Sequence, residues 1–223
     1  LGLIGLVMLG LVRFGLPGGD RAEHHAQGRF WDRTFGQIVR HPLALVILLA
    51  AAANAATNEN VNVVFGEWLE GQFSLGAIAL GSVASAMGVA ELAGELVSSG
   101  WADRIGKHRL VQACLLLSAG AYALLPFIGR TAILAAAGLV ISFFFFEITV
   151  VAAIPLVTEV LPTARATLLS LNVAAFALGR LVGSFTGPFL YSTGGIMWNG
   201  LASAVAALLT FTLWTAFVRE QGT

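Results

Sequence analysis

Charged residues are scarce in this chain. Only 11% of its 223 residues are Asp, Glu, Lys or Arg, and 57% are apolar. Soluble domains carry about a quarter of charged residues, so this composition excludes a soluble globular domain and indicates an integral membrane protein. The formal net charge is zero. A balanced charge argues against a nucleic-acid partner, because binding to phosphates requires an excess of cations.

Cysteine and histidine are scarce as well. The single cysteine, Cys114, lies in an apolar run, so it forms no internal disulfide and is expected to be a small buried side chain. The four histidines fall in predicted loops or at helix ends, and none lies at membrane depth. The sequence therefore predicts no metal site, no cofactor and no intramembrane enzyme.

Long apolar runs fill most of the chain. A helix needs about 20 apolar residues to cross a bilayer. We predict six membrane-spanning helices over residues 42–65, 74–98, 110–128, 132–157, 166–190 and 196–218. Residues 1–16 are apolar but too short to span before Arg13, and we expect them to be the end of a preceding helix. Residues 17–41 form a polar connector with a short amphipathic helix, and residues 220–223 form a tail.

The cations are distributed asymmetrically about these spans. Outside turns hold only Arg130, and Arg180 lies within the fifth span. The predicted inside segments hold Arg13, Arg21, Arg29, Arg33, Arg40, Arg104, Lys107, Arg109, Arg165 and Arg219. By the positive-inside rule, this bias places the connector and the C-terminus in the cytoplasm.

A glycine-bounded polar turn over residues 100–109 joins the second and third spans as a hairpin. It reads Gly-Trp-Ala-Asp-Arg-Ile-Gly-Lys-His-Arg. This pattern resembles the loop signature of the major facilitator superfamily of secondary transporters, where it joins the second and third helices of each six-helix half. The matching positions are Gly100, Asp103, Arg104, Gly106, Lys107 and Arg109, while His108 stands where that family commonly has another cation.

A weaker motif follows two spans later. Glu159, Pro162 and Arg165 resemble the second cytoplasmic signature of the same family, between the fourth and fifth helices of a half. The resemblance implies that these residues and the first signature form a charge cluster that latches the inside gate. Glu95 is expected to belong to this cluster rather than to the membrane interior.

Polar residues at membrane depth are costly and usually face a partner or a water-filled cavity. Charged residues occur in the first, second, fourth and fifth spans and are absent from the third and sixth. In the resembling family, the same four helices of each half line the central pathway. We therefore predict a transport pathway lined by Asn54, Asn58, Glu91, Glu147, Asn172 and Arg180.

Three of these residues have more specific expected roles. Arg180 and Glu147 reach similar depths in neighbouring spans, so we expect them to form an ion pair, either at the substrate or coupling-proton site or as a static structural pair. Glu91 either carries a proton during transport or reaches cytoplasmic water. The phenylalanine run 143–146 is expected to provide packing and lipid contact, and the alternative is that Phe143 or Phe146 lines the pathway beside Glu147.

Small residues mark two expected helix contacts. Gly179, Gly183 and Gly187 repeat every four residues and form a ridge on the fifth span. Gly81 and Ser85 have the same spacing on the second span. Small residues at this spacing let helix backbones approach closely in membranes.

The resemblance covers nearly the whole chain. It implies an all-α integral membrane protein in which residues 42–219 are the C-terminal six-helix half of a transporter, working by alternating access with a missing N-terminal half. The implied function is proton-coupled efflux of small molecules across the plasma (inner) membrane, as in bacterial efflux permeases and antiporters. The alternative is a non-transporting membrane scaffold or sensor of the same fold. The expected partners are the lipid bilayer, a small-molecule substrate and protons.

Overall fold

The computed structural model describes residues 35–218. Residues 1–16, most of the connector at 17–41 and the tail at 220–223 lie outside the described residues, and so do the predictions made for them. The contacts divide the chain into the unit Leu1–Gln37 and the unit Ile38–Thr223. Of the first unit, only residues 35–37 are described, and they are helical.

The second unit is all-helical over its described residues, as predicted. Its helices are α1 (Pro42–Asn62), the short α2 (Phe65–Phe73), α3 (Ala77–Ile105), α4 (Lys107–Ile128), α5 (Ala132–Val160) and α6 (Arg165–Phe217), with a 3₁₀ turn at Pro162–Ala164. Five helical segments of the described chain are long and apolar enough to cross a membrane.

The last of these segments contains two of the six predicted spans. Gly194 and Gly195 have non-helical dihedral angles and divide α6 into a first arm, α6a (165–193), and a second arm, α6b (196–217). Gly195 has a φ of 62°, which favours glycine, and a Cβ at Gly194 would overlap the Trp198 indole. The two arms match the predicted spans 166–190 and 196–218, and the break takes the place of a loop.

The predicted turn at residues 100–109 is mostly helical, so that prediction was wrong in its extent. α3 continues to Ile105, α4 begins at Lys107, and only Gly106, with a φ of 91°, interrupts the two helices. Gly106 caps both helices: its N donates to Ala102 O at 3.1 Å in the last turn of α3, and its O accepts from Leu110 N at 3.0 Å in the first turn of α4. The polar residues end the apolar run without ending the helix, because charged side chains are readily solvated at a helix terminus.

The predicted glycine ridge on α6a packs against α1. Gly179, Gly183 and Gly187 are all buried. A Cβ at Gly183 would lie 2.7 Å from Glu59 Cβ and 2.8 Å from Ala56 O, and a Cβ at Gly179 would overlap the Ala52 carbonyl. The absence of side chains on this ridge therefore sets the close approach of α1 and α6a, as predicted.

The other predicted small-residue contact is wrong within the described residues. Gly81 and Ser85 are exposed, and no atom lies within 4 Å of a Cβ placed at Gly81. The close contact of α3 is made instead by Gly94, where a Cβ would lie 2.9 Å from Phe144 O and 3.1 Å from Glu147 Cβ on α5. Spacing alone tells which residues share a face, but not which face meets a neighbouring helix.

A buried amide network holds α6b against α1 and α6a. Asn60 Nδ2 donates to Asn199 O at 3.1 Å and to Ser203 Oγ at 2.9 Å. Asn199 Nδ2 donates to Asn60 O at 3.0 Å and to Gly187 O at 2.9 Å, and Ser203 Oγ donates to Thr57 O at 2.9 Å. These bonds cross three helical segments next to the break in α6, so they fix the position of the second arm.

Candidate functional site

A polar cavity of about 470 Å³ opens among α1, α3, α5 and α6a. These helices are the first, second, fourth and fifth predicted spans, and α4 and α6b contribute no lining residue. We call this space the main cavity. The residues that line it are Ala55, Asn58, Glu59, Asn62, Phe65, Ala84, Met87, Gly88, Glu91, Glu95, Phe143, Phe146, Glu147, Val150, Phe176 and Arg180.

The cation of the main cavity pairs with an unexpected residue. Arg180 Nη2 lies 2.9 Å from Glu59 Oε2, so the prediction that Arg180 pairs with Glu147 was wrong. The reason is local packing: Gly183, one turn beyond Arg180, draws α6a close to α1 beside Glu59. The sequence did contain a signal for this pairing. Arg180 and Gly183 are spaced i, i+3 and so lie on the same face of α6a, which is the face that contacts α1 at Glu59.

Glu59 is held by more than the guanidinium. Asn62 Nδ2 donates to Glu59 Oε2 at 3.4 Å. Ser184 Oγ, which donates to Arg180 O at 2.9 Å, lies 3.5 Å from Glu59 Oε1. The Glu59 side chain is only 12% exposed, while that of Arg180 is 54% exposed. The carboxylate is thus the fixed member of the pair, and the guanidinium faces the open cavity.

Three further carboxyl groups line the main cavity and form no ion pair within residues 35–218. Glu91 and Glu147 were predicted pathway residues, and Glu95 was assigned to the cytoplasmic cluster but lies on the cavity wall instead. Between residues 35 and 218, the ion pairs are Arg180–Glu59 and Lys107–Glu159, so none of the three has an ion-pair partner there. These carboxyl groups are the side chains most able to exchange a proton or to meet a positively charged group.

Asn58 is both a cavity residue and a link between helices. It is 7% exposed, and its Oδ1 accepts a 2.8 Å hydrogen bond from the Tyr122 hydroxyl on α4. The sequence left open whether the asparagines line a cavity or form hydrogen bonds between helices, and Asn58 does both. Tyr122 was missed because the third span contains no charged residue and appeared to be purely supporting.

Aromatic rings form the apolar part of the wall. Phe143 and Phe146 both line the main cavity. The rings of Phe146 and Phe176 have centroids 6.1 Å apart and planes tilted by 35°. The cavity therefore offers carboxyl groups, two amides, a guanidinium and phenyl faces to a ligand.

The structure does not bring Asn54 and Asn172 to the main cavity. They line a second, smaller cavity of about 40 Å³, which we call the inner chamber. Four of the six predicted pathway residues thus share one cavity: Asn58, Glu91, Glu147 and Arg180.

The predicted gate residues meet in part. Lys107 Nζ lies 3.0 Å from Glu159 Oε1, linking the start of α4 to the end of α5. Arg165 Nε donates to Thr158 O at 3.3 Å, and Pro162 opens the 3₁₀ turn between α5 and α6. Asp103, Arg104 and Arg109 form no ion pair within residues 35–218, and Gly100 is an exposed residue inside α3.

Comparison with known proteins agrees with this architecture. The model of the Major Facilitator Superfamily matches residues 2–223. The chain is 26% identical over 188 residues to the uncharacterized MFS-type transporter YceJ of Bacillus subtilis (strain 168). That alignment covers 84% of this chain and 48% of the relative, so the chain spans about half of the relative's length. The chain belongs to the Major Facilitator Superfamily.

Proposed function

We propose that the protein is a secondary active transporter of small molecules that works by alternating access. The observation that carries the proposal is the main cavity, whose polar walls come from four helices of membrane-spanning length. Carboxyl, guanidinium and amide groups at membrane depth are costly, and they typically mark the path of a substrate or an ion. The family membership and the similarity of the chain to an uncharacterized MFS-type transporter support the same function.

The proposed transport is proton-coupled efflux, as in an antiporter. Glu147 and Glu91 line the cavity without an ion-pair partner in the described chain, and each can take up and release a proton as the cavity changes its access. Their companions in the proposed pathway are Asn58 and Arg180. Asn54 and Asn172 lie behind the cavity wall, so their proposed part in the pathway is indirect.

A second six-helix half is the proposed partner of this one. The chain spans about half of its relative's length, and the main cavity is walled by one set of helices. An opposing half would close the cavity on its far side and rock against this one. The proposed setting is the plasma (inner) membrane with the C-terminus in the cytoplasm, supported by the excess of cations in the predicted inside segments.

The signature residues are proposed to form the cytoplasmic gate of this half. The Lys107–Glu159 pair ties the α3–α4 junction to the end of α5. Both side chains are partly exposed, so the pair contributes little to stability and can separate during a conformational change.

The test is transport by the full-length parent protein in proteoliposomes with an imposed proton gradient. Candidate cargo would include dyes, drugs, sugars and organic acids, and a trapped pH-sensitive dye would report proton flux evoked by each. We expect gradient-driven movement that is lost in Glu147→Gln and kept in Glu70→Gln, an exposed carboxyl on α2 outside the cavity. Uncoupled movement in the wild type would contradict proton coupling while leaving transport in place.

The second candidate function is a non-transporting scaffold or sensor of the same fold. It is favoured by the exposure of α3, the least buried of the membrane-length helices. A scaffold would keep its partners when Glu91, Glu147 and Arg180 are all replaced by neutral residues, whereas a transporter would lose flux. Wild-type protein that moves none of the cargo would favour the scaffold.

A further inference from the structure

The charges on the walls of the main cavity are unequal in sign. Four carboxyl groups and one guanidinium line it, and no lysine or histidine of the described residues does so. Arg180 and Glu59 offset each other through their 2.9 Å ion pair. The carboxyl groups of Glu91, Glu95 and Glu147 therefore set the charge that a bound molecule meets.

These three carboxyl groups come together where α3 meets α5. A Cβ at Gly94 would lie 3.1 Å from Glu147 Cβ, so Glu147 packs directly on the backbone of α3 at this point. Glu91 lies one turn before Gly94 and Glu95 directly follows it, so both flank the contact. Like charges gathered in this way repel one another, and a positive charge bound among them relieves the repulsion.

Two of the three lie deep in the predicted membrane layer. Glu91 and Glu147 are near the middle of α3 and α5, which have 29 residues each, and both are half-buried. A charge at this depth is costly unless it has a partner. A cationic ligand would supply the compensation that no ion pair supplies within residues 35–218.

The arrangement suits an organic cation better than a metal ion. Between residues 35 and 218, no three His, Cys, Asp or Glu side chains are close enough to hold a metal ion. A metal ion such as Ca²⁺ needs six to eight oxygen ligands at about 2.3–2.6 Å, whereas a larger organic cation can be met by carboxyl groups that stand apart. The cavity volume of about 470 Å³ lies in the range of sites for drug-sized ligands, about 300–1,000 Å³.

Phenyl rings beside the carboxyl groups can hold the body of such a molecule. Phe143 and Phe146 line the cavity from the same stretch of α5 as Glu147, and Phe176 faces them from α6a. The ring centroids of Phe146 and Phe176 are 6.1 Å apart. Aromatic rings attract a cation through their quadrupole and also bury apolar surface.

We propose that the main cavity selects organic cations that carry an aromatic or bulky apolar body. The positive charge is held among Glu91, Glu95 and Glu147, and the body lies against the phenylalanine rings. Anions are repelled by the carboxyl groups, and uncharged molecules offer them no compensation. The assignment rests on the proposed function, because it names the substrate class of the same cavity.

Two ions of the same shape and opposite charge test the proposal without a variant. The probes are tetraphenylphosphonium and tetraphenylborate, measured by equilibrium dialysis against the purified full-length parent in detergent, with protein-free micelles subtracted. Mildly alkaline buffer keeps ordinary carboxyl groups ionised. We expect saturable binding of the phosphonium and at least about tenfold weaker binding of the borate. Equal binding of the two ions, or no binding of the phosphonium, would overturn the proposal.

Two variants with effects of opposite sign locate the charge. Glu147→Gln should weaken phosphonium binding by about tenfold, whereas Arg180→Gln removes the cation of the cavity and should strengthen it. Glu70→Gln, at an exposed carboxyl on α2 outside the cavity, is the matched control and should leave binding unchanged. A damaged fold would weaken binding, so a gain in Arg180→Gln has no such explanation. Phosphonium binding that is unchanged in both cavity variants would contradict the assignment.

Flux in proteoliposomes separates this proposal from the proposed function. Gradient-driven movement of sugars or organic acids, without movement of the phosphonium, would overturn the cation assignment and leave secondary transport in place. Phosphonium that binds with the expected charge selectivity but is not moved would support the assignment and contradict transport.

Discussion

Arg180 on α6a and Glu59 on α1 form an ion pair of 2.9 Å at the wall of the main cavity. Gly183 makes the pair possible, since its missing side chain leaves room for Glu59 Cβ. The same contact therefore sets the helix spacing and positions the guanidinium that faces the cavity.

Charge reversal should test this pairing. Arg180→Glu would leave two carboxyl groups facing each other, and we expect transport by the full-length parent to be lost. Glu59→Arg combined with Arg180→Glu should recover part of it, because the pair is restored in reverse. The direct effect on stability is expected to be at most about 1 kcal/mol, since the Arg180 side chain is 54% exposed. Equal loss in the single and double variants would show that the orientation of the charges, and not the pair, is what matters.

Adding one methyl group to the glycine ridge should loosen the contact between α1 and α6a. Gly183→Ala places a Cβ within 2.8 Å of Ala56 O, so we expect a loss of about 1–3 kcal/mol in the free energy of unfolding. Gly81→Ala is the matched control because no atom lies within 4 Å of its Cβ. That substitution should be neutral or stabilising by about 0.5–1 kcal/mol from helix propensity. Similar losses at both positions would contradict the assigned packing.

The buried amide network should be sensitive to a single hydroxyl. Ser203 is 1% exposed, accepts from Asn60 and donates to Thr57 O. Ser203→Ala removes both bonds, and we expect a loss of about 1–3 kcal/mol. Ser192→Ala removes an exposed hydroxyl that donates only to Phe189 O within its own helix, and thermal unfolding should distinguish the two. A Ser203→Ala variant as stable as Ser192→Ala would argue against the network.

The Tyr122 hydroxyl should matter for both folding and transport. Tyr122→Phe leaves Asn58 Oδ1 without its donor, at an expected cost of about 1–3 kcal/mol. The Asn58 amide would then be free to turn within the main cavity, so we also expect a change in apparent substrate affinity. Tyr191→Phe is the control, because no hydrogen bond from the Tyr191 hydroxyl is found in residues 35–218. Affinity that stays constant in Tyr122→Phe would mean that the orientation of Asn58 is unimportant for substrate.

The sequence predicted the helices and the cavity walls better than the contacts between side chains. Apolar runs and glycine spacing are properties of a single helix, so the sequence alone was enough to predict α6a and its glycine ridge. The partner of Arg180 could not be predicted in this way, because depth along the membrane does not say how far each helix is rotated about its axis. Glu147 and Glu59 both belong to helices that line the cavity, and only the close approach at Gly183 decides between them.

The turn at residues 100–109 shows a second limit. A change from apolar to charged residues locates the edge of the hydrocarbon layer, whereas a helix ends where its backbone geometry changes. In this chain the two positions differ by several residues, and a single positive φ at Gly106 marks the end of the helix. The signature residues Gly100, Asp103 and Arg104 therefore lie on a helical extension of the second span.

The junction at Gly106 also has a consequence for helix electrostatics. The carbonyl end of α3, with its partial negative charge, meets the amide end of α4, with its partial positive charge. Arg104 in the last turn of α3 is attracted by the partial negative charge at the carbonyl end of that helix. By contrast, α4 begins with Lys107 and Arg109 and has no acidic residue in its first turn. The macrodipole of α4 thus opposes the cations that its own sequence places there. Glu159 Oε1, 3.0 Å from Lys107 Nζ, brings a compensating negative charge to the start of α4 from the end of α5.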